Sequence, residues 1–555
     1  MANPNPLLAE DVEIGMSTPS TISTFQYSAP WLSISEYVEA GLLSFFTLIT
    51  SLILLPLKLV LFPVEKMCCG LKYKRPSSGE KREVCREGGP EENIKDLVVS
   101  LKASFDAGHT RSYSWRINQL LGLKAMVLEN EGELMEAYVK DLGKPSGDWF
   151  LEKNGILADI NHTLSCLHKL MQPESRHTPL WMQPGTTKII REPLGTVLII
   201  GPYNYPLNLI VCPLAAAFSA GCNAVVKPSE QMPATADFFA KYLPVYLDRH
   251  SCGVVLGGIP ETTSLLRIKF DKIFFTGSDR VAKIIEKTVA GTLTPMCLEL
   301  GGKSPVIVCD DANLKVASKR IVQTKYINCG ATCIAPDYIM CTSSVHDTLV
   351  SNLQKCVETF YTADAQTSEN YARVLNGDHL KRLEGYLSDA KSKGANVIGG
   401  KIDQDDRYME PTIVTGVTAE MLLMKEEIFG PILPIMKVDG FEDAVGHVKK
   451  GEKPLASYCF TSSSAKASTF LNNISSGASC INDCAVHVLS PDIPFGGVGN
   501  AGMGHYHGRE GFLCFSNEKA VYTNDTLTDG LRWIRYPPFS TFKEGVLGKV
   551  MGKSW

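Results

Sequence analysis

Between Thr196 and Pro305, short apolar runs alternate with helical stretches, and this rhythm limits the fold more than any other feature of the chain. Val197–Ile200, Asn223–Lys227, Gly253–Gly257 and Lys272–Phe275 read as buried strands. Leu207–Ser219, Pro233–Leu247 and Asp279–Val289 read as the helices between them. Parallel strands need long crossovers, usually helical, so the pattern predicts a parallel sheet of Rossmann type. Upstream, from about Glu91 to Met171, the pattern is amphipathic and helical. A second α/β stretch runs from about Pro305 to Asp483. There is no internal repeat. At 555 residues the chain exceeds what one hydrophobic core holds, about 250–300 residues.

A net charge of -4 and a pI near 6.3 leave no basic footprint for nucleic acid. Seventeen cysteines are scattered without the short regular spacing of a disulfide scaffold. They predict a reducing compartment, with most thiols buried as small apolar groups. Sequons at Asn161, Asn473 and Asn524 are outweighed by the topology below.

From Ala40 to Leu57 no residue is charged, and apolar character resumes to Phe62 after Lys58. That length suits a helix across a hydrocarbon core, with an interfacial helix interrupted by Pro56 and Lys58 as the alternative. Glu10, Asp11, Glu13, Glu36 and Glu39 precede it; Lys58, Lys66, Lys72, Lys74, Arg75, Lys81, Arg82 and Arg86 follow. The basic flank places the large C-terminal part in the cytosol. Cys68 and Cys69 are candidate S-palmitoyl sites.

Gly497-Val498-Gly499-Asn500-Ala501-Gly502 matches the dinucleotide fingerprint, but Pro494-Phe495 precedes it and His505-Tyr506-His507 follows. The fingerprint needs a strand before and an apolar helix after, so a glycine-rich loop near a domain junction is expected instead. Phe274-Phe275-Thr276-Gly277-Ser278, a strand stopping at Gly before a helix, is the better phosphate site. Lys227-Pro228-Ser229-Glu230 ends another strand, where open α/β sheets bind nucleotides.

Several further runs occur in order: Gly201-Pro202-Tyr203-Asn204-Tyr205-Pro206, Leu298-Glu299-Leu300-Gly301-Gly302-Lys303, Gly330-Ala331-Thr332-Cys333, Glu427-Ile428-Phe429-Gly430-Pro431 and Pro494-Phe495-Gly496-Gly497. With the Lys227 and Phe275 motifs, the chain from roughly 92 to 537 resembles the aldehyde dehydrogenase superfamily. The Asn-Tyr-Pro form, Ala335-Pro336-Asp337-Tyr338, and Gly502-Met503-Gly504 with Tyr506-His507-Gly508 resemble its class 3 and fatty-aldehyde branch.

The resemblance implies Cys333 as nucleophile, Glu299 as general base and Asn204 as oxyanion donor. The chemistry is coherent: a thiolate adds to an aldehyde carbon, fixed donors hold the oxyanion, and a base activates water against the thioester. It also implies that Lys227 and Glu230 hold the adenosine ribose, that Gly277 and Ser278 lie under the pyrophosphate, and that Glu427 and Phe429 position the nicotinamide end. Glu230 disfavours a 2′-phosphate by charge, so NAD is expected, with NADP possible. No metal is expected. Cys329 lacks histidine neighbours at ligand spacing and is a candidate regulatory disulfide partner for Cys333. Cys480 and Cys484 read as core.

The expected organisation is an α/β, aldehyde dehydrogenase-like fold: an acidic tail (1–39), a membrane segment (40–62), a basic linker (63–90), a Rossmann-type NAD-binding domain (91–299) with an oligomerisation strand near 183–193, a catalytic domain (300–483), and a C-terminal arm and tail (484–555). By analogy with the branch, a homodimer is expected; the membrane tether is consistent with an apolar, lipid-partitioning aldehyde, first a fatty one and second a terpenoid or carotenoid-type one. Two other classes remain open, a non-catalytic membrane scaffold and a cysteine esterase. Three departures stand out: Ala331 where the branch usually has Gln, Asp279-Arg280 after the phosphate turn, and a tail from Lys543 without a hydrophobic anchor.

Overall fold

The computed structural model describes residues 73–76 and 84–552. The membrane segment expected at 40–62, the tail before it and Cys68 and Cys69 lie outside these residues. Among the described residues, no helix is long and apolar enough to cross a membrane.

The predicted parallel sheet is present and has seven strands, in the order Val84–Cys85, Cys252–Val255, Asn223–Lys227, Thr196–Ile200, Lys272–Gly277, Met296–Leu300, Gly502–Met503. All pairs are parallel except the last, where Gly502 faces Glu299 and Met503 faces Leu298. Chain order reverses on either side of Thr196–Ile200, so the carboxyl ends open onto a crevice of the kind that binds nucleotides. Both faces are buried. Val197 and Ile199 pack into one apolar cluster, Leu198 and Ile200 into another. This two-sided burial explains why the strands read as continuous apolar runs.

Strand limits shift slightly from expectation. The run expected at 253–257 is Cys252–Val255, because Gly257 turns away with φ +129, and Lys272–Phe275 continues to Gly277. The helix Asn208–Ala220 is buried on nearly every side and ends at Gly221, in the left-handed region with φ 93. A Cβ at Gly221 would stand 2.7 Å from the Arg116 guanidinium.

A second seven-stranded sheet runs Asn396–Ile398, Thr412–Thr415, Ile432–Val438, Tyr338–Thr342, Pro305–Val308, Ala456–Phe460, Ala478–Ile481. A third, antiparallel sheet holds Thr186–Pro193 between Glu174–Arg176 and Ser516–Thr523. Its long pairing runs from Ser516 opposite Pro193 to Thr523 opposite Thr186. Arg191, its side chain 5% exposed, binds Glu518 at 3.0 Å and also Glu174. The decoy motif lies in a short 3-10 turn, Gly499–Ala501, and the Gly502–Met503 edge strand, with no strand–turn–helix cradle.

Candidate active site

The loop carrying Cys333 follows the helix Leu314–Tyr326, which Asn313 caps through Val316 N–H. Asn328, Cys329 and Gly330 then adopt left-handed conformations in succession, with φ 53, 51 and 75. For Asn328 and Cys329 this costs about 1–3 kcal/mol each unless the surroundings hold it. They do: Asn328 N–H donates to Asp148 Oδ2 at 2.8 Å, and its amide donates to the Asn204 carbonyl at 2.8 Å. Gly330 admits no side chain, since a Cβ would lie 2.3 Å from the Gly430 carbonyl oxygen. The turn brings Cys333 to a half-buried position against the core.

Burial pushes the Cys333 thiol up to about 12, with Glu427 and Glu299 adding to the shift; the backbone N–H groups of Cys333 and Ile334 work against it. Glu299 is 2% exposed and neither carboxyl oxygen has a hydrogen-bond partner. Burial, and then Cys514, raises it well above the ordinary carboxylate range. Asn204 is buried, and its amide donates to the Ala331 carbonyl at 3.0 Å, one peptide before Thr332-Cys333. Cys329 is turned elsewhere. Its thiol donates to the Tyr371 hydroxyl at 3.6 Å, and burial pushes it up to about 12. Cys480 and Cys484 lie in the core as expected.

Glu427 sits on the Gly301–Gly302 turn, where Gly302 N–H is its backbone donor. A Cβ at Gly301 would stand 2.1 Å from the Glu427 carboxyl, which explains the glycine. Burial pushes Glu427 up to about 8, with Asp337 adding to the shift. Phe429 has φ 45 and stacks edge-on against Tyr203 at 5.9 Å. At the carboxyl end of the strand Asn223–Lys227, Lys227 is 2% exposed and donates to Glu230 at 3.0 Å and to the Pro228 carbonyl at 2.8 Å. Ser278 caps the helix Asp279–Val289, and a Cβ at Gly277 would meet the Phe275 ring at 2.5 Å. These groups ring the crevice at the strand carboxyl ends, so the residues present fit a dinucleotide. The departure at Asp279 is absorbed locally, its carboxylate accepting from Arg280 N–H and Lys283.

The sequence did not single out a buried charged group behind Asn204. Lys144 and Glu152 form an ion pair at 2.8 Å with both side chains fully buried. Lys144 also donates to the Asn204 carbonyl at 3.1 Å. Glu152 accepts from the Tyr138 hydroxyl at 2.7 Å and from Asn208 N–H at 3.0 Å, at the start of the next helix. A second unforeseen support fixes Glu427: Lys303 binds Asp337 and the Glu426 carbonyl, and Asp337 accepts from Ile428 N–H at 2.9 Å. Lys303 and Asp337 lie inside quoted motifs; Lys144 and Glu152 lie in none.

The sequence from 71 to 521 matches the family model described as the aldehyde dehydrogenase family. This chain belongs to that family. The enzyme is 40% identical over 447 residues to the dimeric NADP-preferring aldehyde dehydrogenase of Rattus norvegicus, covering 80% of this chain and 98% of the relative. It is also 40% identical over 448 residues to the 4,4'-diaponeurosporen-aldehyde dehydrogenase of Staphylococcus aureus, covering 80% and 96%. A family 3 member A2 protein of Mus musculus matches at 40% over 448 residues, covering 80% and 92%. Among solved structures, substrate-bound AldH of Staphylococcus aureus superposes with a TM-score of 0.79 at 38% identity, covering 83% and 99%. The enzyme is thus an aldehyde-oxidising oxidoreductase whose cofactor is NAD(P), with relatives in the class 3 branch.

Proposed function

We propose that the enzyme oxidises an apolar aldehyde to its carboxylic acid through a thioester on Cys333. The observation that carries this reading is the half-buried Cys333 thiol on the loop that the Asn204 amide holds, with the Glu427 and Glu299 carboxylates acting on it by charge and Glu299 buried without a hydrogen-bond partner. A carboxylate whose pKa is raised is a stronger proton acceptor than an ordinary one. The thiol passes its proton to a carboxylate, and the sulfur adds to the aldehyde carbon. The oxyanion is held by the Asn204 amide and backbone N–H groups at Cys333 and Ile334. When bound, NAD(P) supplies the hydride acceptor. Glu299 then takes a proton from water as it attacks the thioester, releasing the acid and restoring the thiol.

In this reading Lys227 and Glu230 hold the adenosine ribose, Gly277 and Ser278 the pyrophosphate, and Glu427 and Phe429 the nicotinamide end. NAD is the preferred cofactor and NADP is accepted; the Lys227 ammonium offsets much of the repulsion Glu230 would exert on a 2′-phosphate. The segment at 40–62 tethers the enzyme to a membrane with its catalytic part in the cytosol, which suits a lipid-partitioning substrate. A homodimer forms through the third sheet, whose edge strand Ser516–Thr523 has a free side for pairing among the described residues. Fatty aldehydes are the first substrate class. Terpenoid or carotenoid-type aldehydes are the second, favoured by the 40% identity to a 4,4'-diaponeurosporen-aldehyde dehydrogenase.

A panel of aldehydes of graded chain length, followed by NADH absorbance with detergent-solubilised full-length enzyme, tests the reading. Rising kcat/KM with chain length supports it. A preference for short polar aldehydes contradicts the apolar assignment.

A further inference from the structure

The Lys144 side chain is fully buried. Its ammonium lies between two aromatic rings, 4.2 Å from the centroid of Tyr205 and 4.9 Å from that of Tyr138, and is closed off by Glu152 and the Asn204 carbonyl. Stability is a poor reason for such an arrangement, because a buried ion pair often contributes no more than well-packed apolar residues of the same volume. What it supplies is position. The segment from Asn204 to Asn208 is held by this group at both ends: Lys144 at the Asn204 carbonyl, Tyr138 at Leu207 N–H at 2.9 Å, and Glu152 at Asn208 N–H. The same Asn204 carbonyl takes the Asn328 amide from the strained turn before Cys333. Tyr205, under the ammonium, exchanges a hydrogen bond at 2.8 Å with the Thr332 hydroxyl, next to the nucleophile.

We infer that Lys144, clamped by Glu152, is a positioning residue that fixes the distance between the Asn204 amide and the Cys333 loop. The inference rests on the proposed role of Asn204 as oxyanion donor. Lys144 touches no reacting atom. It acts through the Asn204 backbone and through Tyr205. A displacement of about 1 Å in such a pair can cost on the order of 10²-fold in rate.

The test is a double-mutant cycle on the full-length enzyme with a saturating aldehyde and NAD. Lys144→Met lowers kcat about 10- to 100-fold, while the KM for NAD stays within about two-fold, because nothing at the adenosine end changes. Removing one charge of the pair risks the fold, so Lys144→Met is also combined with Glu152→Gln, which removes both charges of the pair together. The double variant is expected to keep the wild-type Tm within a few degrees and still lose kcat. In an Asn204→Ala background, Lys144→Met should add less than about three-fold, since the side-chain amide whose place it fixes is gone. Multiplying losses in that background, or a fully active double variant, would overturn the inference. If Asn204→Ala itself were fully active, the oxyanion assignment would fail first and take the inference with it. A slow Asn204→Ala beside an active Lys144→Met would sink the inference alone.

Discussion

The two ends of the candidate site are built on different principles. Around Asn204 and Cys333 the supporting charges are sealed in: Lys144 and Glu152 have fully buried side chains, and Asp148 is 8% exposed. At the end proposed for the adenosine, the Lys227 ion pair is open on one side, with the Glu230 side chain 46% exposed. A sealed charge network fixes geometry at high cost if broken, which suits a place where bonds form and break. A half-open pair can be remade by an arriving ribose, which suits a cofactor that binds and leaves. Substitutions at the first end should therefore act on turnover, and those at the second on cofactor KM.

Four experiments would break or sharpen that contrast, taken from the largest effect down. Cys333→Ala should lower kcat by more than about 10⁴-fold with cofactor binding intact by fluorescence titration; retained aldehyde oxidation would contradict the mechanism. Asn204→Ala should cost about 10²–10³ in kcat and little in KM for NAD, measured by steady-state kinetics. Lys227→Ala should raise KM for NAD about 10- to 100-fold, the worth of a charge-assisted hydrogen bond, and leave kcat within a few-fold. A kcat loss equal to that of Asn204→Ala would erase the contrast.

The smallest effect is in stability. Glu427 is raised to about 8, above its unfolded value. Its contribution is fully present below the unfolded pKa, near 4.3, and is lost as pH rises through 8. Glu427→Gln should therefore flatten part of the fall in Tm between pH 5 and 8.5. An unchanged slope would show that Glu427 is not held neutral in the folded protein.

Much of this was legible in the sequence, and unevenly so. Strands such as Asn223–Lys227 announced themselves because burial on both faces demands unbroken apolar runs. The helix Asp279–Val289 fell at its expected limits because Ser278 caps it. Cys333, Glu299 and Asn204 were singled out through motifs, which mark chemistry. Lys144, Asp148 and Glu152 were invisible for the opposite reason. A Lys and two acids near the start of a helix look like a solvated face, and only the tertiary fold buries them. The left-handed turn at Asn328 and Cys329 has no local signature either, since neither is glycine. The reason for Gly301 required knowing that Glu427, more than a hundred residues later, rests on it.

The account stands or falls on whether sulfur carries the acyl group. Glu299→Gln enzyme, mixed with excess aldehyde and NAD and quenched in acid, should gain the mass of one acyl group, and peptide mapping should place it on Cys333. Aldehyde consumption at the wild-type rate with no adduct, or an adduct on another residue, would contradict it.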